Sequence, residues 1–196
     1  MRTRTFLIAT AAVTVILVLA GCSTPAGAPQ PDSPPGGGSS TSEPVDANAV
    51  DTMFVMMMIP HHEQAIEMSN IVIEKDGVDT RVLDLARQIK DAQAPEIELM
   101  RGWLEGWGMP DMMSGGMNHG GGMMSEDDME SLNSANSPEL ERLFLEQMIT
   151  HHEGAIDMAQ GVINNGQNAD VIALAERIVA AQADEIAVMQ ELLTTI

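Results

Sequence analysis

Cysteine and aromatic residues are scarce in this chain. Its 196 residues contain one cysteine, no tyrosine, three phenylalanines and two tryptophans. A lone cysteine excludes disulfide frameworks, zinc fingers and iron–sulfur sites, because each of these needs several thiolates. A nucleophile elbow and a phosphate-binding loop are also missing from the sequence. The fold must therefore be stabilised by burial of apolar side chains.

Basic residues are few as well. Nine lysines and arginines stand against 29 aspartates and glutamates, which gives a net charge of −20. Removal of an export signal that contains Arg2 and Arg4 would leave a mature chain with a net charge of −22. Such a surface repels nucleic acids and anionic lipid headgroups, so neither is expected as a partner. It attracts cations, although acidic faces that keep an exported protein soluble account for most of these charges.

The N-terminus carries an apolar run from Leu7 to Leu19 behind a basic start. This run is too short and wrongly flanked for a membrane-spanning helix, and it is typical of a secretory signal. It ends in Leu-Ala-Gly-Cys, which resembles the bacterial lipobox, so we interpret residues 1–22 as a lipoprotein signal with Cys22 as the lipidation site. An ordinary signal peptide with an incidental cysteine is the alternative. The position of the sole cysteine favours the lipobox.

Residues 23–45 are rich in proline, glycine and serine and lack large apolar side chains. A segment of this composition buries too little surface to order itself, so we predict a disordered tether. The folded domain is then expected at residues 46–196.

One motif occurs twice in that domain. Residues 58–68 read Met-Ile-Pro-His-His-Glu-Gln-Ala-Ile-Glu-Met, and residues 148–158 read Met-Ile-Thr-His-His-Glu-Gly-Ala-Ile-Asp-Met. A second stretch, at residues 86–100 and again at 175–189, repeats Ala-x-x-Ile-x-x-x-Gln-Ala-x-Glu-Ile-x-x-Met. The repeated unit therefore consists of two helices, and two such hairpins predict an all-α, ferritin-like four-helix bundle.

Apolar periodicity places the four helices at about 46–75, 79–107, 137–165 and from 168 onward. We expect Pro60 and Pro95 to bend the first two helices, and Ser137 to cap the third with Pro138 at its first position.

In each copy of the motif, a methionine precedes the first histidine by three residues and another follows it by seven. These spacings put imidazole and thioether groups on one inward stripe of a helix. If the hairpins pack as pseudo-symmetric mates, the groups converge and suit copper, since thioethers favour Cu(I) and imidazole binds either oxidation state. The predicted metal ligands are Met58, His61, His62, Met68, Met148, His151, His152 and Met158.

The even-numbered helices carry a matching stripe of amide, carboxyl and thioether groups that could orient the histidines. It consists of Gln93, Glu96, Met100, Gln182, Glu185 and Met189. Alternatively, His61 and His151 bond to these groups as a buried polar layer without metal, and the methionines serve only as packing. We expect His62 and His152 at a helix interface or near a mouth of the bundle. A di-iron enzyme is disfavoured because no Glu-x-x-His motif precedes any of these histidines.

A glycine- and methionine-rich connection spans residues 108–136. Long loops in compact domains are usually functional or disordered. Thioethers in such a segment could sequester Cu(I) or Ag(I), and the alternatives are a disordered linker or an apolar lid. The candidate loop ligands are Met109, Met112, Met113, Met117, His119, Met123 and Met124.

The two copies and their spacing resemble a bacterial family known as domain of unknown function 305. The resemblance covers about residues 50–195 and implies a ferritin-like bundle in exported or membrane-attached proteins. Some relatives are associated with copper binding and copper resistance, and the resemblance marks the same histidines and methionines as ligands. Thr150 and Gly154 depart from Pro60 and Gln64 of the first copy, so the two halves need not bind metal equally.

Together these patterns predict a copper-binding protein held by lipid on the outer face of the cell membrane. It would buffer or transfer Cu(I) or Cu(II) without catalysis, with a copper chaperone or pump as a candidate partner. Two other functions remain open: a metal-free structural or partner-binding lipoprotein, and a metal-dependent redox enzyme.

Overall fold

A computed structural model describes residues 46–109 and 121–196 of the chain. The expected signal at 1–22, the tether at 23–45 and Cys22 lie outside these residues. Within them the structure is all-α, as predicted, and has no strand. None of the helices in this part combines the length and apolarity needed to cross a membrane.

Four long helices form two hairpins. Helix α1 spans Ala49–Ile73 and packs along α2, Thr80–Gly106. Helix α4, Glu139–Asn165, packs in the same way along α5, Ala169–Leu192. The two hairpins meet mainly through α1 and α4, which are the helices that carry the repeated motif. The predicted pairing of repeated hairpins is therefore present.

The connection between the hairpins contains a short helix that the sequence did not predict. This helix, α3, spans Glu126–Ser134 and begins with a capping box between Ser125 and Asp128. Its Leu132 is fully buried in the core, so this end of the connection packs against the bundle. Residues 108–136 are thus not a single irregular loop.

The start of α4 differs from expectation. Helices α1 and α2 continue through Pro60 and Pro95, in agreement with their predicted ranges, and the bend expected at each proline stays a prediction. Pro138, not Ser137, is the residue that precedes the first turn of α4, and no side chain caps that helix. The first turn of α4 is held instead by a backbone hydrogen bond of 3.0 Å from the N–H of Leu140 to the carbonyl of Asn136 and by burial of Leu140 in the core.

A buried carboxylate near the start of each motif helix fastens the opposite hairpin. Asp51 of α1 accepts hydrogen bonds from the backbone N–H groups of Gln167 and Asn168, at 3.0 and 3.1 Å, in the α4–α5 turn. Glu141 of α4 accepts one from the backbone N–H of Asp79, at 3.0 Å, in the α1–α2 turn. Asp51 and Glu141 occupy the same position of the repeat, so the two hairpins are related by an approximate twofold relationship.

The hydrophobic core is divided into two clusters at opposite ends of the bundle. One cluster combines the C-terminal half of α1 with the N-terminal half of α4, and the other combines the remaining halves. This division follows from the antiparallel arrangement of α1 and α4. Between the clusters, along all four long helices, lies a layer of buried polar side chains, which we call the histidine layer. It contains His61, His62, Gln93, His151, His152, Gln182 and Glu185, with Glu96 at its edge.

Candidate metal site in the histidine layer

The histidine layer is centred on one residue from each motif. The ring centroids of His61 and His151 are 3.7 Å apart, with an angle of 39° between the ring planes. Both side chains are almost completely buried, at 1% and 0% exposure. The crossing of α1 and α4 therefore brings the first histidine of each motif into direct contact, as the repeat predicted.

The second histidine of each motif is bonded to a glutamate of its own hairpin. His62 lies 2.8 Å from Glu96 through its Nε2 atom, and His152 lies 2.7 Å from Glu185 in the same way. Both histidines are fully buried against the neighbouring helix of their hairpin, so of the two expected positions the helix interface is the one the structure shows. The metal-free alternative had offered Glu96, Glu185, Gln93 or Gln182 as partners of His61 and His151. The structure pairs the glutamates with the neighbouring histidines instead, because one helical step turns those side chains toward α2 and α5.

These carboxylate contacts determine the hydrogen positions on the rings. An ionised carboxylate only accepts hydrogen bonds, so Nε2 of His62 and of His152 must donate. In a neutral ring the lone pair then belongs to Nδ1. A metal-binding histidine is commonly oriented in this manner, through a carboxylate on its other nitrogen.

Several polar atoms of the layer have no hydrogen-bond partner within the described ranges. They include Nδ1 of His62 and of His152, both ring nitrogens of His151, and the Oε1 atoms of Gln93 and Gln182. A buried polar atom without a partner costs about 1–3 kcal/mol. Buried polar atoms are normally bonded, so a group of them without partners in one layer needs an explanation, and a bound ion is one.

Burial lowers the pKa of His151 well below its ordinary value of 6.5. Positive charge on His61, His152 or His62 would lower it further, whereas the backbone of His61 has a smaller effect in the opposite direction. His151 therefore stays neutral at physiological pH. Only a neutral imidazole has a lone pair to give to a metal.

The connection covers His61. Nε2 of His61 donates a hydrogen bond of 3.0 Å to the backbone carbonyl of Gly121. Gln64 holds the same segment with two bonds to the backbone of Met124, donating to its carbonyl at 2.9 Å and accepting from its N–H at 2.8 Å. Residues 121–124 therefore form a strap, fastened to α1, over one side of the histidine layer.

The strap explains why the two motifs differ. Gly154 occupies the position of Gln64 in the second copy, and a Cβ atom there would lie 1.7 Å from the carbonyl oxygen of Gly121. Gly121 and Gly122 have positive φ angles of 85° and 83°, which few other residues adopt. Gln64 binds the strap and Gly154 makes room for it, so this departure from symmetry serves the connection.

The predicted methionine ligands, and the methionines Met100 and Met189 of the orienting stripe, lie on either side of the layer. Met58 and Met100 belong to one core cluster, whereas Met68, Met148 and Met189 belong to the other, and all five are fully buried. Met158 is only partly buried and lies beside Gly121 of the strap. The thioethers thus flank the histidines from both ends of the bundle instead of forming one ring around them.

The candidate loop ligands are only partly described. Met109 follows α2 and is 39% exposed. Met123 and Met124 lie on the strap, and Met124 packs against the core. The other candidates, Met112, Met113, Met117 and His119, lie outside the described residues, and the loop site remains a prediction.

Few nitrogen donors of the histidine layer are grouped closely enough to bind one ion together. Among residues 46–109 and 121–196, no three side chains of histidine, cysteine, aspartate or glutamate are grouped so that they could hold a metal ion. A coordination shell here would combine a few imidazole nitrogens with the flanking thioethers. That mixture suits soft ions, of which Cu(I) is the biological example.

Sequence reasoning missed the residues that hold the strap. Gln64, Gly121 and Gly154 were not among the candidate site residues, although the difference between Gln64 and Gly154 was visible by comparing the two motifs. A glycine in the middle of a helix costs about 1 kcal/mol relative to alanine, so Gly154 was itself a signal of close backbone approach.

Comparison with known proteins places this fold among related chains. A family model described as domain of unknown function (DUF305) matches residues 51–193. A crystal structure of a DUF305 fragment from Deinococcus radiodurans is 30% identical, with a TM-score of 0.71, and the alignment covers 76% of this chain and 99% of that one. A DUF305 protein from Streptomyces coelicolor, described as secreted, is 34% identical, with a TM-score of 0.67 and coverages of 74% and 91%.

A third similar structure is CopM, solved in Cu(I)-bound, Cu(II)-bound, silver-bound and apo forms. Its Cu(II)-bound form is 31% identical, with a TM-score of 0.64, and the alignment covers 74% of this chain and 95% of CopM. No curated protein sequence matches this chain. Because the family model spans most of the sequence and both repeats, the chain belongs to the DUF305 family.

Proposed function

We propose that this protein binds copper ions in its histidine layer, outside the cytoplasm, and buffers or transfers them without catalysing a reaction. The observation that carries the proposal is the set of buried ring nitrogens without partners on His62, His151 and His152. Burying these nitrogens without hydrogen-bond partners makes folding less favourable, and coordination of a bound ion would offset that loss of free energy.

Two glutamates support metal binding over a purely structural role. Glu96 and Glu185 orient His62 and His152 so that each neutral ring has its lone pair on Nδ1. In a metal-free polar layer we would expect those second nitrogens to be bonded as well, because buried polar groups are normally satisfied. The metal-free alternative explains the carboxylate contacts but leaves Nδ1 of both rings without a role.

The choice of copper depends on the donors and on the relatives. Buried imidazole with methionine on both sides favours Cu(I), and Cu(II) can be bound through the imidazoles. CopM, at about the same identity as the other relatives, has been crystallised with Cu(I), Cu(II) and silver. The net charge of −20 also raises the local concentration of cations.

The proposed location of the protein rests on its N-terminal sequence and on the description of one relative. The run that ends at Cys22 resembles a lipoprotein signal, and the Streptomyces relative is described as secreted. We propose lipid attachment through Cys22 at the outer face of the membrane. Mass spectrometry of the protein from its native membrane would detect the acyl mass, which a Cys22→Ala variant should lack.

Anaerobic titration with Cu(I) in competition with a chromogenic chelator tests the proposed site. The whole chain in mild detergent is compared with a His61→Ala/His151→Ala variant and with Glu98→Ala, which removes an exposed side chain of α2 outside the layer. We expect the layer variant to lose tight binding and Glu98→Ala to retain it. Binding that is unchanged in a layer variant with normal helix content would overturn the proposal.

The melting temperature of the unmodified chain is a second readout, and it does not depend on whether a variant folds. Ions that bind only the folded state stabilise it by about 2.7 kcal/mol when their concentration is a hundred times Kd. Cu(I) should therefore raise the melting temperature of the unmodified chain. A melting temperature that is the same with copper, with chelator and with neither would favour the metal-free alternative.

A further inference from the structure

A second group of thioethers lies outside the histidine layer, where α1 meets α4. Met53 and Met57 are one helical turn apart on α1, and Met158 belongs to α4. All three line a single open groove. Neither Met53 nor Met57 was among the residues that the motif marked as ligands.

The groove is apolar and uncharged. Besides the methionines it is lined by Ala49, Val50, Phe54, Gly161, Val162 and Asn165. Ions that prefer oxygen ligands, such as Ca²⁺ and Mg²⁺, would find no carboxylate there. Thioether sulfur is the one kind of soft donor that the groove supplies, and it selects Cu(I) or Ag(I).

Packing alone does not account for these side chains. Met53 is 63% exposed, and Met57 and Met158 are only partly buried. Met158 packs in part against the core, whereas the exposed Met53 and the partly buried Met57 gain little from burial on the groove. Leucine has about the same helix propensity and would cover the same surface.

Met158 links this groove to the histidine layer. A Cβ atom on Gly121 would lie 3.6 Å from Cγ and 3.7 Å from the sulfur of Met158. The carbonyl of the same glycine accepts the hydrogen bond from His61. One residue of the strap thus lies beside a thioether of the groove and accepts a hydrogen bond from a histidine of the layer.

We propose that Met53, Met57 and Met158 form a separate surface site for a monovalent soft metal ion, at which Cu(I) is held before it reaches the histidine layer. The position of Met158 beside the strap provides the connection between the two sites. The assignment of Cu(I) as cargo rests on the proposed function, whereas binding of a soft cation by the groove can be tested by itself.

The test uses silver as an air-stable probe and the whole chain labelled with ¹³C on the methionine methyl groups. Ag(I) is titrated in while methyl resonances are followed by NMR, and Met→Leu variants assign the signals. Met53→Leu/Met57→Leu removes two donors with little change of volume. Met56→Leu is the matched control, because this neighbour on α1 packs against the core and does not line the groove.

We expect the methyl signals of Met53, Met57 and Met158 to shift together. The double variant should weaken silver binding at this site by about tenfold or more, which corresponds to about 1.4 kcal/mol, so that the Met158 signal shifts only at correspondingly higher silver concentrations. Met56→Leu should behave as the unmodified chain does. A Met158 signal that responds in the double variant at the same silver concentration as in the unmodified chain, or three methyl groups that do not respond at all, would overturn the surface site.

The His61→Ala/His151→Ala variant separates this proposal from the proposed function. If the histidine layer does not bind metal, the groove should still bind silver in that variant with its methyl shifts intact. If the groove is not a site, the layer should still bind Cu(I) in Met53→Leu/Met57→Leu. The two variants therefore show whether the groove or the histidine layer is the site that fails to bind metal.

Discussion

The imidazole rings of His61 and His151 lie with their centroids 3.7 Å apart, although ninety positions separate the two residues in the chain. They belong to the same position of a duplicated motif, and the antiparallel crossing of α1 and α4 brings them together. Neither hairpin alone contains this pair. A soft-metal site at this crossing therefore depends on the association of the two halves.

The carboxylate contacts of His62 and His152 predict a graded loss of metal affinity. Glu96→Gln and Glu185→Gln keep the size of the side chain but remove the charge that orients each ring. Loss of such an orienting partner typically weakens metal binding by about 10–100-fold. Glu98→Gln, on the exposed face of α2, is the matched control. Chelator competition with Cu(I) measures all three, and equal affinities would show that these glutamates do not support the site.

The low pKa of His151 predicts that the apo protein becomes less stable as the pH falls. Below about pH 6.5 the unfolded chain takes up a proton at His151 while the folded chain does not. This contribution is fully present above the unfolded pKa and is lost progressively below it. Urea unfolding at about pH 7.5 and about pH 5.5 should show a lower midpoint at the lower pH. His151→Gln should reduce that difference, and an unchanged difference in this variant would contradict the prediction.

The close approach of Gly154 to the strap predicts opposite effects for two glycine substitutions in helices. Gly154→Ala would place a Cβ atom 1.7 Å from the Gly121 carbonyl and should displace residues 121–124. Gly102→Ala, in α2, meets open space and should stabilise the protein by about 1 kcal/mol. Thermal unfolding and hydrogen exchange at the strap check both. If Gly154→Ala stabilises as Gly102→Ala does and leaves exchange unchanged, the strap does not lie against α4.

The buried carboxylates at the repeat position of Asp51 and Glu141 predict unequal costs in the two halves. Asp51→Asn should destabilise the protein by about 2–3 kcal/mol, because its carboxylate accepts several charge-assisted bonds from the α4–α5 turn. Glu141→Gln should cost less, since Glu141 accepts one bond, from Asp79. Denaturant unfolding ranks the two variants. A larger loss for Glu141→Gln would show that the hairpins are fastened mainly at the other end.

The sequence predicted correctly those features that depend on the side chains along one face of a single helix. The repeat at 58–68 and 148–158 identified both the hairpins and the histidines, because an inward stripe must recur at helical spacing. It left open which histidine each glutamate bonds, since a shift of one residue decides which histidine faces the neighbouring helix. Spacing along one helix cannot settle that choice.

The connection between the two hairpins shows a second limit of prediction from sequence. Its glycines and methionines predicted a functional loop, but neither α3 nor the contact between Gly121 and His61 could be predicted from a segment without periodicity. The groove formed by Met53, Met57 and Met158 was equally hidden, since it combines residues of two helices a hundred positions apart.

The sequence by itself determined the helical class, the duplication and the donor chemistry, because these follow from residue type and from spacing within a single helix. Only the tertiary structure decided which donors meet, which histidine each glutamate orients, and where the strap crosses the layer. Those relationships depend on how separate helices pack, and packing is set by side chains that are distant in the chain and close in space.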